Sequence, residues 1–380
     1  MKASRVILLV LAGSLSAGLI VVVAQGPKSG GSETVARPKK PTTSGSTDAP
    51  AATTTETEQP KIPSQYKKGK DAPESVATFS ADAVTVTVDA SVLDSKGRFL
   101  PNIPQGNFRL MEDNVPQKIT SISKGEAPIT IALVIEFSGL FQQMYSEPWY
   151  QTLQAAYGFV KTLKPEDYVA VVAYDIRPEI LSDFSTDRRE TQEGLSQLKL
   201  PGFREANLFD ALVDTEKRMQ DIEGRKAILL ISSGIDTFSK ITFGEARKAI
   251  QNAGVPIYAI GLMQTYRDMN GVDAGSQGLT FLQADNQLRT FTKESGGIAY
   301  FPHFYGEFPD IYRGIGEVLR SQYLISYTPS NTARDGKFRK IKVDLVDPEN
   351  NKPLIIKEDG KAVKYEVLAK AGYSAPKPVE

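Results

Sequence analysis

The sequence predicts an α/β protein in which a doubly wound, mainly parallel sheet is inserted into a small β domain built from N- and C-terminal strands. Two patterns lead to this fold class. In the middle of the chain, short apolar runs alternate with segments of helical periodicity, which is typical of parallel strands joined by helices. On either side of that region, apolar and polar residues alternate one by one, which indicates strands with a single buried face.

The first residues have the features of an export segment. Lys2 and Arg5 precede an apolar run over residues 6–24, which is close to the roughly 20 residues needed to cross a bilayer. We therefore predict that residues 1–25 are a signal peptide or a membrane anchor. The protein is expected in the periplasm, at the cell surface or secreted, and to touch a membrane only through this segment.

Residues 26–78 are rich in Pro, Ser, Thr and Lys and contain few large apolar side chains. Such a composition buries too little surface to offset the entropy of ordering the chain. We predict a disordered linker that holds the folded part away from the membrane.

The β domain is predicted from two separated regions, 79–127 and 321–376. In the first, Val84, Val86 and Val88 alternate with polar residues. In the second, strands are predicted over 323–327, 341–345, 354–356 and 363–367, with a hairpin turn at Asp335-Gly336. The first region has too few strands to be stable alone, so we expect the two regions to pair.

The inserted region, 128–320, contains five apolar runs that we interpret as strands. They cover residues 129–135, 169–174, 227–231, 256–262 and 298–301, and helical spacing occurs over 153–163, 208–219 and 310–319. Nearly continuous apolar strands are expected where helices cover both faces of a parallel sheet. Ligands bind such sheets at the carboxyl ends of the strands, so the loops that follow the strands are the candidate sites.

The composition excludes several kinds of site. The 380 residues include no cysteine and one histidine, His303, which excludes disulfides, thiolate metal sites and two-histidine metal sites. A lone histidine among aromatic residues is expected to be structural. The 45 basic residues balance 45 acidic ones, which argues against a nucleic-acid partner. Since no phosphate-binding glycine loop or dinucleotide fingerprint is present, we expect neither enzymatic activity nor a cofactor.

Three loops carry the most specific pattern in the sequence. They contain Glu136-Phe137-Ser138-Gly139-Leu140, Glu205-Ala206-Asn207-Leu208 and Ser232-Ser233-Gly234-Ile235-Asp236-Thr237. Together with the flanking segments Lys96-Gly97-Arg98, 108–113 and 321–329, they make the chain resemble a bacterial family related to the von Willebrand factor type A domain. The resemblance covers residues 80–376 and implies an A-type α/β fold that binds a protein or a surface.

The same family implies a metal-ion-dependent adhesion site, in which Asp-x-Ser-x-Ser, a Thr and a second Asp hold Mg²⁺. Only Ser138 is kept in this sequence. Glu136 replaces the first Asp, Leu140 the second Ser, Ala206 the Thr and Ser233 the second Asp. Because Mg²⁺ requires near-ideal octahedral oxygen coordination, we expect little or no metal binding. The remaining candidate ligands are Glu136, Ser138 and Asp236.

We therefore expect an exported interaction module that binds a protein partner or a cell-surface component. The predicted partner-binding face consists of Glu136, Ser138, Leu140, Glu205, Ala206, Asn207 and Ser233. The alternative is a cell-envelope hydrolase that uses carboxylates at the same strand ends, namely Glu136, Asp175 and Asp236.

Overall fold

The computed structural model describes residues 85–377, apart from residues 96, 125–127, 140–152, 154–155, 200–202, 223, 272–274 and 359. The predicted export segment, 1–25, and the predicted linker, 26–78, lie outside the described residues. Within the described part of the chain, no helix is long and apolar enough to span a bilayer.

The described strands are numbered in chain order. They are β1 (Val86–Asp94), β2 (Phe108–Glu112), β3 (Val115–Gln117), β4 (Ile119–Lys124), β5 (Ile129–Glu136), β6 (Tyr168–Tyr174), β7 (Pro178–Ser185), β8 (Arg225–Ser232), β9 (Ile257–Gly261), β10 (Ala299–Tyr300), β11 (Tyr323–Tyr327), β12 (Phe338–Leu345), β13 (Ile356–Glu358), β14 (Lys361–Val363), β15 (Tyr365–Ala369) and β16 (Gly372–Ser374).

The longer helices are numbered in the same way. They are α1 (Arg188–Ser196), α2 (Leu208–Gln220), α3 (Phe243–Ala253), α4 (Met263–Asn270), α5 (Ser276–Ser295) and α6 (Phe308–Ser321). Residues 156–162 are also helical.

A six-stranded sheet forms the centre of the inserted domain, in the order β10-β9-β8-β5-β6-β7. All neighbouring strands are parallel except β7, which is antiparallel to β6 at one edge. Every residue of β5 is buried, because helices cover both faces of the sheet. Residues 156–162 and α6 supply the core of one face, and α2 and α3 supply that of the other. The predicted doubly wound, mainly parallel sheet is confirmed.

Two four-stranded sheets make up the flanking β domain, in the orders β15-β1-β11-β4 and β16-β12-β2-β3. β1, from the N-terminal region, pairs with β11 and β15 from the C-terminal region. Val88 and Ile325 of the first sheet share one buried core with Leu110 and Val343 of the second. The prediction that N- and C-terminal strands build one β domain is therefore confirmed.

The predicted hairpin at Asp335-Gly336 is wrong. β11 and β12, which flank this turn, belong to different sheets. Gly336 has a left-handed φ of 67°, and the Asp335 carboxylate accepts a hydrogen bond from the N–H of Lys337 over 3.0 Å. The turn thus redirects the chain from one sheet to the other. The edge strand β7 and the helices α1, α3, α4 and α5 are additional to the predicted elements.

The chain enters the α/β domain after β4 and returns into β11. These two strands pair with each other, and Tyr323 lies opposite Lys124. The last helix, α6, ends at the cap residue Gln322, which directly precedes β11. The Gln322 amide donates to the hydroxyl of Tyr258 in β9 over 3.1 Å. The two connections between the domains therefore lie side by side.

Candidate functional site at the carboxyl ends of the strands

The candidate site lies where the central strands end. Glu136 is the last residue of β5, and it lies opposite Tyr174 at the end of β6. Ser232 ends β8, and Ser233 begins the loop that follows. Because parallel strands end at one edge of the sheet, these four side chains meet beneath the loops. All four are buried, with exposed fractions of 0–1%.

The Glu136 carboxylate is surrounded by hydrogen-bond donors. Its Oε2 accepts from the backbone N–H of Ser233 and from the Ser233 hydroxyl, each over 2.8 Å, and from the Ser232 hydroxyl over 3.0 Å. Its Oε1 accepts from the Ser138 hydroxyl over 2.9 Å. The Tyr174 hydroxyl lies 2.8 Å from the Oγ of Ser232 and 3.3 Å from Oε2. The carboxylate is thus held inside an internal network.

The same serines fix the loop after β8. The N–H of Gly234 donates to the Oγ of Ser232 over 2.8 Å, and the N–H of Ile235 donates to the Oγ of Ser233 over 3.1 Å. Gly234 has a φ of +77°, and a Cβ there would lie 2.8 Å from the carbonyl oxygen of Ala284. The loop therefore requires glycine for both its backbone conformation and its close approach to α5.

Burial dominates the electrostatics of this network. It raises the pKa of Glu136, and the hydrogen bonds from Ser233, Ser138 and Ser232 lower that pKa by less. Burial, together with the nearby Glu136, also raises the pKa of Tyr174 well above its usual value. Tyr174 therefore remains a neutral donor, while an ionised Glu136 carries an energetic cost that the surrounding donors reduce.

Asp236 belongs to a second cluster, at the start of α2. Its Oδ1 accepts from the hydroxyl of Ser239 over 2.5 Å and from the N–H of Phe209 over 3.2 Å. Asp236 makes no hydrogen bond to Glu136 or Ser138 among the contacts of the described residues. The three predicted metal ligands therefore divide into a bonded pair, Glu136 and Ser138, and a separate carboxylate.

The donor set at the strand ends does not fit a Mg²⁺ site. Its one carboxylate, Glu136, already accepts four hydrogen bonds from Ser138, Ser232 and Ser233, and the Tyr174 hydroxyl lies 3.3 Å from it. Within the described residues, no group of three His, Cys, Asp or Glu side chains is arranged to hold a metal ion.

Most residues of the predicted partner-binding face lie beneath the surface. The buried members are Glu136, Ser138, Ala206, Asn207 and Ser233. Glu205 is exposed, and Leu140 lies outside the described residues. The backbone of Ala206 is bonded in both directions to Thr237, with its N–H donating to Oγ1 and its carbonyl accepting from the N–H, each over 2.8 Å. The buried residues therefore lie under the loops, and other side chains form the surface above them.

Two aromatic side chains that the sequence reasoning missed lie on that surface. Phe203 is 49% exposed and Phe238 is 61% exposed. The carbonyl of Phe203 accepts from the N–H of Gly139 over 2.5 Å, and the N–H of Phe238 donates to the carbonyl of Ala206 over 3.2 Å. The backbones of both residues thus join the loops of the site. The sequence signal for this surface was the apolar side chain in each of the two loops, Phe203 in one and Phe238 in the other.

The residues of the hydrolase alternative do not form a catalytic arrangement. Asp175 is half-buried and accepts from the N–H of Arg177 over 3.3 Å. His303 lies at the surface, 65% exposed, with its Nδ1 2.7 Å from the carboxylate of Asp268. No described hydrogen bond links His303 to Glu136, Asp175 or Asp236. Asp268 holds His303 at the surface, and the expectation that His303 is structural stays a prediction.

No family model matches the chain, and no curated protein sequence matches it. Among similar solved structures, proximal thread matrix protein 1 from the mussel byssus is 11% identical, with a TM-score of 0.40, over 53% of this chain and 50% of that protein. This chain thus spans half the length of the mussel protein.

Two bacterial structures are also similar. A von Willebrand factor type A protein from Catenulispora acidiphila is 11% identical, with a TM-score of 0.42, over 77% of this chain and 75% of that chain. The von Willebrand factor domain of a type V pilus tip protein from Porphyromonas gingivalis is 14% identical, with a TM-score of 0.39, over 51% and 95%. In the α/β domain of this chain, β8 and β5 are the central strands of the sheet, and the antiparallel strand β7 lies at one edge.

Proposed function

We propose that the chain is an exported, non-catalytic protein-interaction module. It binds a protein or a cell-surface component at the carboxyl ends of the strands, with little or no dependence on a metal ion. The observation that carries this proposal is the Glu136 carboxylate, which is fully buried and accepts hydrogen bonds from Ser138, Ser232 and Ser233. An internal carboxylate that is already satisfied leaves the face to bind through shape and surface contacts.

The side chains that make those contacts are Phe203, Glu205 and Phe238. Exposed aromatic residues supply much of the binding energy in protein interfaces, since they bury a large area with few rotatable bonds. The buried network beneath them fixes the loops from below. Such rigidity lowers the entropy lost when a partner binds.

A non-catalytic role is favoured by the side chains at the strand ends. Ser138, Ser232 and Ser233 donate to Glu136 or are bonded to the loop backbone, and His303 pairs with Asp268 instead of approaching a serine. A serine nucleophile needs a base within hydrogen-bond reach. The buried Glu136 is the acceptor for all three serines, and a carboxylate that cannot be reached by substrate is a poor general base.

The test is capture of the binding partner from envelope extract by the full chain, with the double variant Phe203→Ser/Phe238→Ser as the probe of the face. Ile355→Ser is a matched control, because Ile355 is equally apolar, is 70% exposed and lies in the β domain. We expect the double variant to lose capture at least tenfold, and the control and a chelator to leave it unchanged. Capture that survives the double variant, or that a chelator abolishes, contradicts the proposal.

A further inference from the structure

A second surface lies at the β10 edge of the α/β domain, and its lining contains none of the residues of the strand-end site. It is a cleft of about 570 Å³ between the β domain and the C-terminal part of α5. The cleft is bounded on one side by β1 and β15 and on the other by α5 and β10. Its volume falls in the range of about 300–1,000 Å³ that is usual for binding sites, which often occur where two domains meet.

The cleft contains an open strand edge. β10 is the last strand of the six-stranded sheet, and no other described strand pairs with it on its outer side. β10 itself is two residues long, and residues 297–300 line the cleft together with Leu93 and Leu368. An unpaired strand edge can accept an extended chain through main-chain hydrogen bonds, and apolar neighbours can receive every second side chain.

The charges around the cleft are unbalanced. Arg289, Lys293 and Lys364 line it, against Glu366 and Asp94. Asp94 is already paired with Arg98, 2.6 Å away, whereas Lys293 and Lys364 are exposed and have no ion-pair partner among the described residues. The guanidinium of Arg289 stacks over the Phe301 ring, 4.0 Å from its centroid. The two exposed lysines therefore face one unpaired carboxylate, Glu366, which favours an acidic occupant.

We propose that this cleft binds an extended acidic peptide segment of a partner protein. The segment lies along the β10 edge, with its acidic side chains toward Lys293 and Lys364 and alternate apolar side chains toward Leu93 and Leu368. The site is separate from the face that carries Phe203 and Phe238 and does not rest on the function proposed for it.

The test is fluorescence anisotropy of a labelled hexapeptide of alternating valine and glutamate, titrated with the full chain at low salt. Lys293→Glu and Lys364→Glu are each expected to weaken binding about five- to tenfold, because each reverses a cation at the rim. Glu366→Gln is expected to strengthen binding about twofold.

Lys217→Glu is the matched control, since Lys217 lines a different groove, between α2 and the β6–β7 edge. This variant and Phe203→Ser/Phe238→Ser are expected to bind the peptide as the wild type does. The proposal is overturned by an absence of saturable binding, by unchanged binding in Lys293→Glu and Lys364→Glu, or by equal binding of a hexapeptide in which lysine replaces glutamate.

Discussion

The backbone N–H and the side-chain hydroxyl of Ser233 both donate to the same oxygen of Glu136, each over 2.8 Å. Two donors from one residue thus converge on Oε2, and the Ser232 hydroxyl adds a third over 3.0 Å. The end of β5 and the loop after β8 are joined at a single buried atom. The stability of the loop after β5 and of the loop after β8 therefore depends on the side chain of Glu136.

Glu136→Ala should destabilise the protein by about 3 kcal/mol or more, because it leaves several buried donors without an acceptor and opens a cavity. Glu136→Gln should cost much less, since its amide oxygen can still accept from Ser233. The measurement is urea denaturation of both variants beside the wild type. Equal stability of the alanine variant and the wild type would show that the network is not a stabilising feature.

The stability of the wild type should fall relative to that of Glu136→Gln as the pH rises above 4.5, the ordinary pKa of glutamate. Burial raises the folded-state pKa of Glu136, so the folded protein keeps this proton at pH values where the unfolded chain has lost it. The stabilisation that this difference in pKa provides is complete below pH 4.5. It decreases by about 1.4 kcal/mol per pH unit as the pH rises from 4.5 to the raised pKa of the folded protein. The check is the difference in unfolding free energy between wild type and variant across pH. A difference that is flat or of opposite sign contradicts the assignment.

The wild type should give no saturable heat on titration with Mg²⁺ or Mn²⁺. The variant that carries Glu136→Asp, Leu140→Ser, Ala206→Thr and Ser233→Asp should bind Mn²⁺, because it supplies the ligand oxygens of a metal-ion-dependent adhesion site. Calorimetry measures both proteins, and thermal melting shows whether the variant is folded. Micromolar binding by the wild type that Glu136→Ala abolishes would establish a working metal site.

Gly234→Ala should destabilise the protein by about 3 kcal/mol, since it combines a left-handed φ with a Cβ placed 2.8 Å from the Ala284 carbonyl. Gly271→Ala is the matched control. Its φ is +63°, and nothing lies within 4 Å of the added Cβ, so its cost should be about 1 kcal/mol. Thermal and denaturant unfolding measure both. Equal losses of stability in the two variants would mean that α5 moves away from the added Cβ without an energetic cost.

The sequence was sufficient to predict the central strands, and the reason is burial on two sides. β5, β8 and β9 read as apolar runs because helices cover both faces of the sheet. β7 begins with Pro178 and is only partly buried, so its pattern is weak. Helix α3 was also missed, although Thr242 and Glu245 form a capping box at its start; that signal was present in the sequence.

The site was only partly predictable. Glu136 and Ser138 could be placed at a strand end from the loop pattern, and they hydrogen-bond to each other. The role of Tyr174 depends on strand register, since it lies opposite Glu136 in the pairing of β5 with β6. The burial of Ala206 and Ser233 depends on how the loops cross above them. Register and loop crossing are set by tertiary packing and cannot be read from spacing alone.

The side-by-side connections at β4 and β11 have a mechanical consequence. Tension applied through residues before β1 and after β16 runs through the sheets of the β domain. The inserted α/β domain hangs from two strands that are hydrogen-bonded to each other, with Tyr323 opposite Lys124. Its ends are therefore held about 5 Å apart, the spacing of neighbouring strands, for as long as that pairing lasts. A pull along the chain leaves the inserted domain unloaded, so the loops at the ends of its strands keep their arrangement under force.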